Sequence, residues 1–247
     1  TFSLILMAVG LLGIGYGFFS APKDIQEVEA ILASDAHGSH QEGSNSSTEA
    51  HAVAGENREN AETEHKEHLE HVLSQLQNKP WAALYVACIF FMLISLGVLA
   101  FYAIQQVAQA GWSPVLFRVM QGITAYLPVG SVIFFVILIL CGLHFNHLFI
   151  WLDPEVIASD KIIANKAGYL NFPFWIVRAA IFLLGWNAYR YFSRKNCLAQ
   201  DEANDDGFYK KNFNISAMFL VFFIVTESIM SWDWIMSIDP HWSSTLF

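Results

Sequence analysis

Apolar and polar positions along this chain fall into long blocks rather than short alternations. A bilayer core about 30 Å thick takes roughly 20 apolar residues of helix to cross. Five blocks meet that length, at about 1–19, 81–104, 127–151, 172–192 and 213–236. Residues 20–79 between the first two are polar, rich in histidine and poor in aromatics, and their middle is expected to be disordered. Leu69, Val72, Leu73 and Leu76 recur at i, i+3, i+4 and i+7, which predicts an amphipathic helix at the end of that stretch. Lys79-Pro80-Trp81 then reads as a water boundary, with Trp81 as its interface anchor.

The pattern predicts an all-α polytopic membrane protein with five transmembrane helices. Helix one covers 1–19, a polar, partly disordered outer loop covers 20–79, and a four-helix bundle covers 80–247. The first block is longer than the roughly 7–15 apolar residues of a signal peptide and has no basic start, so it is expected to stay as a helix. Gly10, Gly13 and Gly17 lie at spacings that let another helix approach closely. Thr1 and Phe247 read as the cut ends of a longer protein.

Composition sharpens the membrane reading. Only 14% of residues are charged and 55% are hydrophobic, against about a quarter charged in soluble domains. The mean hydropathy is +0.40. The net charge of −9 collects largely in the polar stretch, and no basic cluster suits a nucleic acid. Cys88, Cys141 and Cys197 are too scattered for a disulfide or metal framework. His65, His68 and His71 repeat every three residues, a spacing that drifts around a helix, so a solvated face is expected rather than a zinc site.

Lysine and arginine in short loops set orientation. Arg190, Arg194, Lys195, Lys210 and Lys211 lie between blocks four and five, and only Lys161 and Lys166 between three and four. The N-terminus is therefore expected in the cytoplasm and the 20–79 loop outside.

Two stretches, "HFNHLFIWLDPE" (144–155) and "SIMSWDWIMSIDPHW" (228–242), run from bulky apolar residues into an Asp-Pro pair. Proline disfavours helix at the residue before it. Asp153 and Asp239 are each expected to end one helix and to N-cap a short interfacial one, with Pro154 or Pro240 in its first position. Asp153, Asp239 and His241 would then be access points for protons at the outer interface.

Ionisable groups inside a membrane are costly and face a bundle interior, often on an ion path. At about 1.5 Å per residue, His144 lies roughly 10 Å below the outer end of block three, and His147 about 6 Å. Arg178 lies about 9 Å into block four, Asp233 about 9 Å below Asp239, and Glu227 about 18 Å below it. Two readings remain open. Arg178 and Asp233 form an ion pair that pins two helices, or His144, His147, Arg178, Asp233 and Glu227 form a proton path. A haem held between two helices is disfavoured, because both intramembrane histidines sit on one of them.

The segment "TESIMSWDWIMSIDPHW", with "HFNHLFIWLDPE" and the His-rich loop, resembles the NrfD-like family of membrane subunits. That family includes the membrane anchor of polysulfide reductase and subunits of bacterial alternative complex III. The resemblance implies about ten helices, of which these five would be the first half, one peripheral and four in a bundle. It implies a multi-pass subunit of the bacterial inner membrane, in a complex that oxidises menaquinol. Partners would be a sister NrfD-like quinol-binding subunit, an iron–sulfur subunit and c-type cytochrome subunits, with a terminal oxidase and membrane lipid alongside. Iron–sulfur clusters and c-type haems would sit on the partners and no cofactor on this chain, in keeping with its lack of a CxxCH motif. The subunit would support assembly and proton conduction without a catalytic residue of its own. A secondary transporter or ion channel, or a chain that binds quinone directly, are the alternatives. Transporters tend to break helices near the midplane, whereas the breaks read here lie at the interface.

Overall fold

A computed structural model describes residues 2–38 and 56–242, and among these every regular element is helical. The helices are α1 (Phe2–Phe19), α2 (Ile25–Gly38), α3 (Glu56–Val107), α4 (Phe117–Ile123), α5 (Tyr126–Gly142), α6 (Pro154–Ser159), α7 (Lys161–Lys166), α8 (Phe172–Glu202) and α9 (Gly207–Met230). Three stretches are long and apolar enough to cross a membrane: Val72–Val107, Ser113–Gly142 and Gly207–Ile238. They mark a membrane protein.

The chain divides into two compact units, Thr1–Leu84 and Tyr85–Phe247. In the first, Phe18 meets Trp81 edge to face at 4.9 Å, and the Gln77 side chain donates to the Pro22 carbonyl. At the start of α2 the Asp24 carbonyl accepts from the Val28 N–H, and the Glu27 carboxylate reaches back to the Lys23 N–H. That helix was not anticipated in the polar stretch. The middle of the stretch, 39–55, lies outside the described residues, as do the side chains of His65, His68 and His71.

Pro80 does not end a helix. α3 runs through it for 52 residues, about 78 Å at the usual rise. The proline lacks one N–H, a loss that a long helix flanked by good helix formers tolerates.

In the second unit α8 packs along α9 and against α5. Small residues permit the approach. A Cβ on Gly185 would come within 2.4 Å of the Phe222 ring, and one on Gly142 within 1.8 Å of the Phe172 ring. The buried side of α9 carries Asn212, Ser216, Phe219, Thr226 and Met230 at helical spacing. The α8 start is capped by the Asn171 side chain, which accepts from the Phe174 N–H.

The third apolar block ends sooner than its composition suggests. α5 stops at Gly142, and His144 follows with φ of 59°. The Phe145 N–H bonds to the Leu140 carbonyl and the His144 N–H to the Cys141 carbonyl. Those two bonds are the Schellman closure, and His144 occupies the left-handed position usually given to glycine. Residues 143–149 then run irregularly into a short 3-10 turn, Ile150–Leu152.

Both Asp-Pro pairs do turn the chain. α6 begins at Pro154, with the Asp153 carbonyl accepting from the Ile157 N–H. At the second pair the Asp239 side chain accepts from the His241 N–H and its carbonyl from the Trp242 N–H, which makes a turn. The continuation of that turn lies outside the described residues.

Candidate functional site

The site grows from an irregularity in the last apolar helix. α9 passes at Ser231–Ile235 into one π turn, closed by the Met236 N–H on the Ser231 carbonyl. Such turns widen a helix and free backbone carbonyls, and they recur at functional sites. The carbonyls freed here are taken by side chains. That of Asp233 accepts from Trp175 Nε1 at 2.9 Å and from the Ser237 hydroxyl. That of Trp234 accepts from the Tyr85 hydroxyl at 2.7 Å. One turn thus ties α9 to α8 and α3.

The Asp233 carboxylate is fully buried and gripped at two points. Arg178 donates from Nε at 2.6 Å and from one terminal nitrogen at 2.8 Å. Its other terminal nitrogen donates to the Tyr169 carbonyl at 3.2 Å. The guanidinium lies 4.0 Å from the Tyr169 ring centroid and 4.3 Å from that of Phe174. A planar, forked cation fits this setting, because it pairs two oxygens at once and stacks on rings. Burial, with the Asp233 charge next, pushes the Tyr169 hydroxyl well above its usual pKa.

Aromatics close the site. Trp234 is fully buried among Phe134, Trp186 and Phe182, the nearest ring at 4.8 Å. Phe149 and Trp151 pack edge-on over Trp175 at 5.0 and 5.4 Å. This explains the bulky residues before Asp153: they seal the end of the helix group above the ion pair. Each such ring pair contributes about 0.5–1.5 kcal/mol beyond its area.

Of the five residues expected at membrane depth, the structure joins Arg178 and Asp233. His144 and His147 lie beyond the end of α5 and are exposed, so they are not on a transmembrane helix. Helical rise measured from the end of the apolar block assumed a helix through them, since hydropathy does not register a Schellman stop. Glu227 is half-buried on α9, and its carboxylate meets no hydrogen-bond partner among the described residues. Thr226, Met230 and Asp233 share a buried face as their spacing implies.

At the Asp-Pro end, His241 Nε2 lies 2.5 Å from the Asp160 carboxylate, and Lys166 donates to the Pro240 carbonyl at 2.6 Å. The Ile162 N–H, followed by His241, holds the Asp160 carboxyl below its usual range. Asp153 and Asp239 shape turns in the same segments.

The sequence did not reveal a second polar cluster at the other end. The Tyr102 hydroxyl accepts from Gln106 at 3.0 Å, Asn212 at 3.1 Å and Ser193 at 3.2 Å. It joins α3, α8 and α9. Gln106 Oε1 and Asn212 Oδ1 are buried there without a partner among the described residues, as is the indole nitrogen of Trp234 in the first cluster. The available signal was weak: single polar residues just beyond the ends of three apolar blocks.

Among the described residues no group of histidine, cysteine and carboxylate side chains is arranged to hold a metal ion. No protein-family model matches the chain, and no curated protein matches its sequence.

Proposed function

We propose that this chain is an integral membrane subunit of a quinol-oxidising respiratory complex of the alternative complex III type. It resembles the NrfD-like subunit called ActF. In this reading α1 is a peripheral crossing. The membrane parts of α3, α5, α8 and α9 form a four-helix bundle, the first half of a ten-helix subunit in the bacterial inner membrane. The N-terminus is cytoplasmic and the 20–79 loop periplasmic. The subunit binds no metal. Menaquinone, iron–sulfur clusters and c-type haems belong to the partners: a sister NrfD-like subunit, an iron–sulfur subunit, c-type cytochromes and, downstream, a terminal oxidase.

The observation that carries this reading is the buried Arg178–Asp233 pair inside a π turn of an apolar helix. An ion pair taken out of water needs excellent geometry to offset its desolvation. It also rests within the "SWDWIMSIDPHW" segment on which the family resemblance depends. The pair locks the end of α9 to the start of α8, a role that suits an assembly subunit.

Proton conduction in this reading passes through Glu227 rather than the histidines. Glu227 is a carboxylate within an apolar helix with no cationic partner among the described residues, and such groups often lie on ion paths. Two polar clusters, around Asp233 and around Tyr102, lie toward opposite ends of the helices that carry them.

Extraction in a mild detergent tests the proposal. C-type haem and iron–sulfur proteins are expected to accompany the chain. A colourless chain that moves a solute by itself would replace this reading with a transporter. Direct quinone binding is favoured by one feature, a hollow of about 260 Å³ lined by Tyr169, Trp232, Met236 and Trp242. Labelling of those residues by a photoreactive menaquinone analogue would establish that reading.

A further inference from the structure

Between α5 and α8 lies an open groove of about 540 Å³, which begins at Ala180, two residues past Arg178, and runs away from the ion pair. Its walls are Val132 and Val136 on one helix and Ala180 and Leu184 on the other. Val132 and Leu184 are among the most exposed apolar side chains of the chain, 65% and 70%. The groove closes on Asn187 and Arg190. From Ala180 to Arg190 it follows ten residues of helix, about 15 Å. α8 starts at Asn171 beside the Asp-Pro segments, so Arg190 stands about 28 Å away, near the opposite face of a bilayer.

The polar end is unpaired. Arg190 Nε is buried with no hydrogen-bond partner, and no carboxylate reaches the guanidinium among the described residues. Arg194 follows one turn later, without an ion pair among the described residues, and Lys195 after it. The other two membrane-region arginines differ, since Arg178 holds Asp233 and Arg118 holds Asp201.

We propose that this groove binds one anionic phospholipid, with an acyl chain along Val132, Val136, Ala180 and Leu184 and its phosphate on Arg190 and Arg194. A soluble phosphate would leave the apolar walls uncovered. A zwitterionic lipid would bring a second positive charge beside two unpaired arginines. A neutral helix from another subunit would cover the walls yet bury Arg190 without a counter-charge, which is costly. An anionic lipid satisfies both ends, and basic residues near such headgroups attract them.

Native mass spectrometry tests the site on the protein extracted with its accompanying subunits. Palmitoyl-oleoyl phosphatidylglycerol or phosphatidylcholine is added at equal concentration. The wild type is expected to retain the phosphatidylglycerol about fivefold better, the size of one basic residue's contribution. Arg190→Gln is expected to lower that preference, and Arg190→Gln combined with Arg194→Gln to bring the two lipids close to parity. Leu184→Trp, at an exposed position, is expected to fill the groove and lower retention of both. Equal retention of the two lipids by the wild type overturns the proposal without any variant. So does an unchanged preference in Arg190→Gln. A cysteine at Val136 that crosslinks to a neighbouring subunit, with no lipid retained, would assign the groove to a protein helix instead.

Discussion

Trp175 and Arg178 hold the same residue by different atoms. The Trp175 indole takes the Asp233 carbonyl, and one turn later Arg178 takes the carboxylate. The π turn makes this possible, because a regular α-helix would spend that carbonyl on its own backbone. Backbone and side chain of Asp233 are thus both committed to α8.

Removing either partner of the ion pair leaves a buried charge alone. Arg178→Ala and Asp233→Ala are each expected to destabilise the protein by about 3–5 kcal/mol. The double variant should lose clearly less than the sum. Thermal unfolding in a fixed detergent measures all three. Additive losses would show that the two charges do not depend on each other.

Tyr85→Phe keeps the ring and removes one donor. Among the described residues no other side chain donates to the Trp234 carbonyl, so a cost of about 1–3 kcal/mol is expected. Ser237→Ala should cost less, since Trp175 still serves the Asp233 carbonyl. Equal losses in the two variants would count against this difference in sharing.

His144 ends α5 in the left-handed region. A non-glycine residue there costs about 1–2 kcal/mol. His144→Gly is therefore expected to be neutral or mildly stabilising, and His144→Val destabilising. Proton-coupled turnover should survive the glycine substitution. Its loss in a folded, assembled His144→Gly protein would return that imidazole to the proton path.

Glu227→Gln removes the one carboxylate on α9 that has no partner among the described residues. Turnover coupled to proton uptake is expected to fall about 100-fold or more, the lower end of general acid–base contributions, while assembly continues. Wild-type uptake in an assembled variant would remove Glu227 from the proposal.

The Asp160–His241 contact gives a pH dependence with a definite sign. The Asp160 carboxyl is held below its ordinary value of 3.8, chiefly by the Ile162 N–H. Its contribution is complete above that value and is lost as pH falls through the lower folded pKa. Protection factors of the amides at residues 161–166, corrected for intrinsic exchange, should fall in that acid range in the wild type. In Asp160→Ala they should be low already at neutral pH. Protection factors that do not change with pH in the wild type would contradict the contact.

The sequence made the membrane class legible because apolar length is a local property. It also marked Arg178 and Asp233, since charge within an apolar block is conspicuous and helical rise puts the two at similar depth. The same arithmetic failed for His144 and His147. It assumed that the helix lasts as long as the apolar residues do, and a Schellman closure at Gly142 breaks that assumption. At Pro80, part of the water boundary read from the sequence, α3 runs on as one helix.

Hydropathy and the Asp-Pro pairs by themselves determined an all-helical chain with apolar crossings that end in turns. Each of those signals is read within one segment. Tertiary structure alone decided which carbonyls the π turn frees, that Tyr85 and Trp175 take them, and that Tyr102 gathers two distant side chains, Ser193 and Asn212. Those choices depend on distances between residues far apart in the chain, which only packing sets.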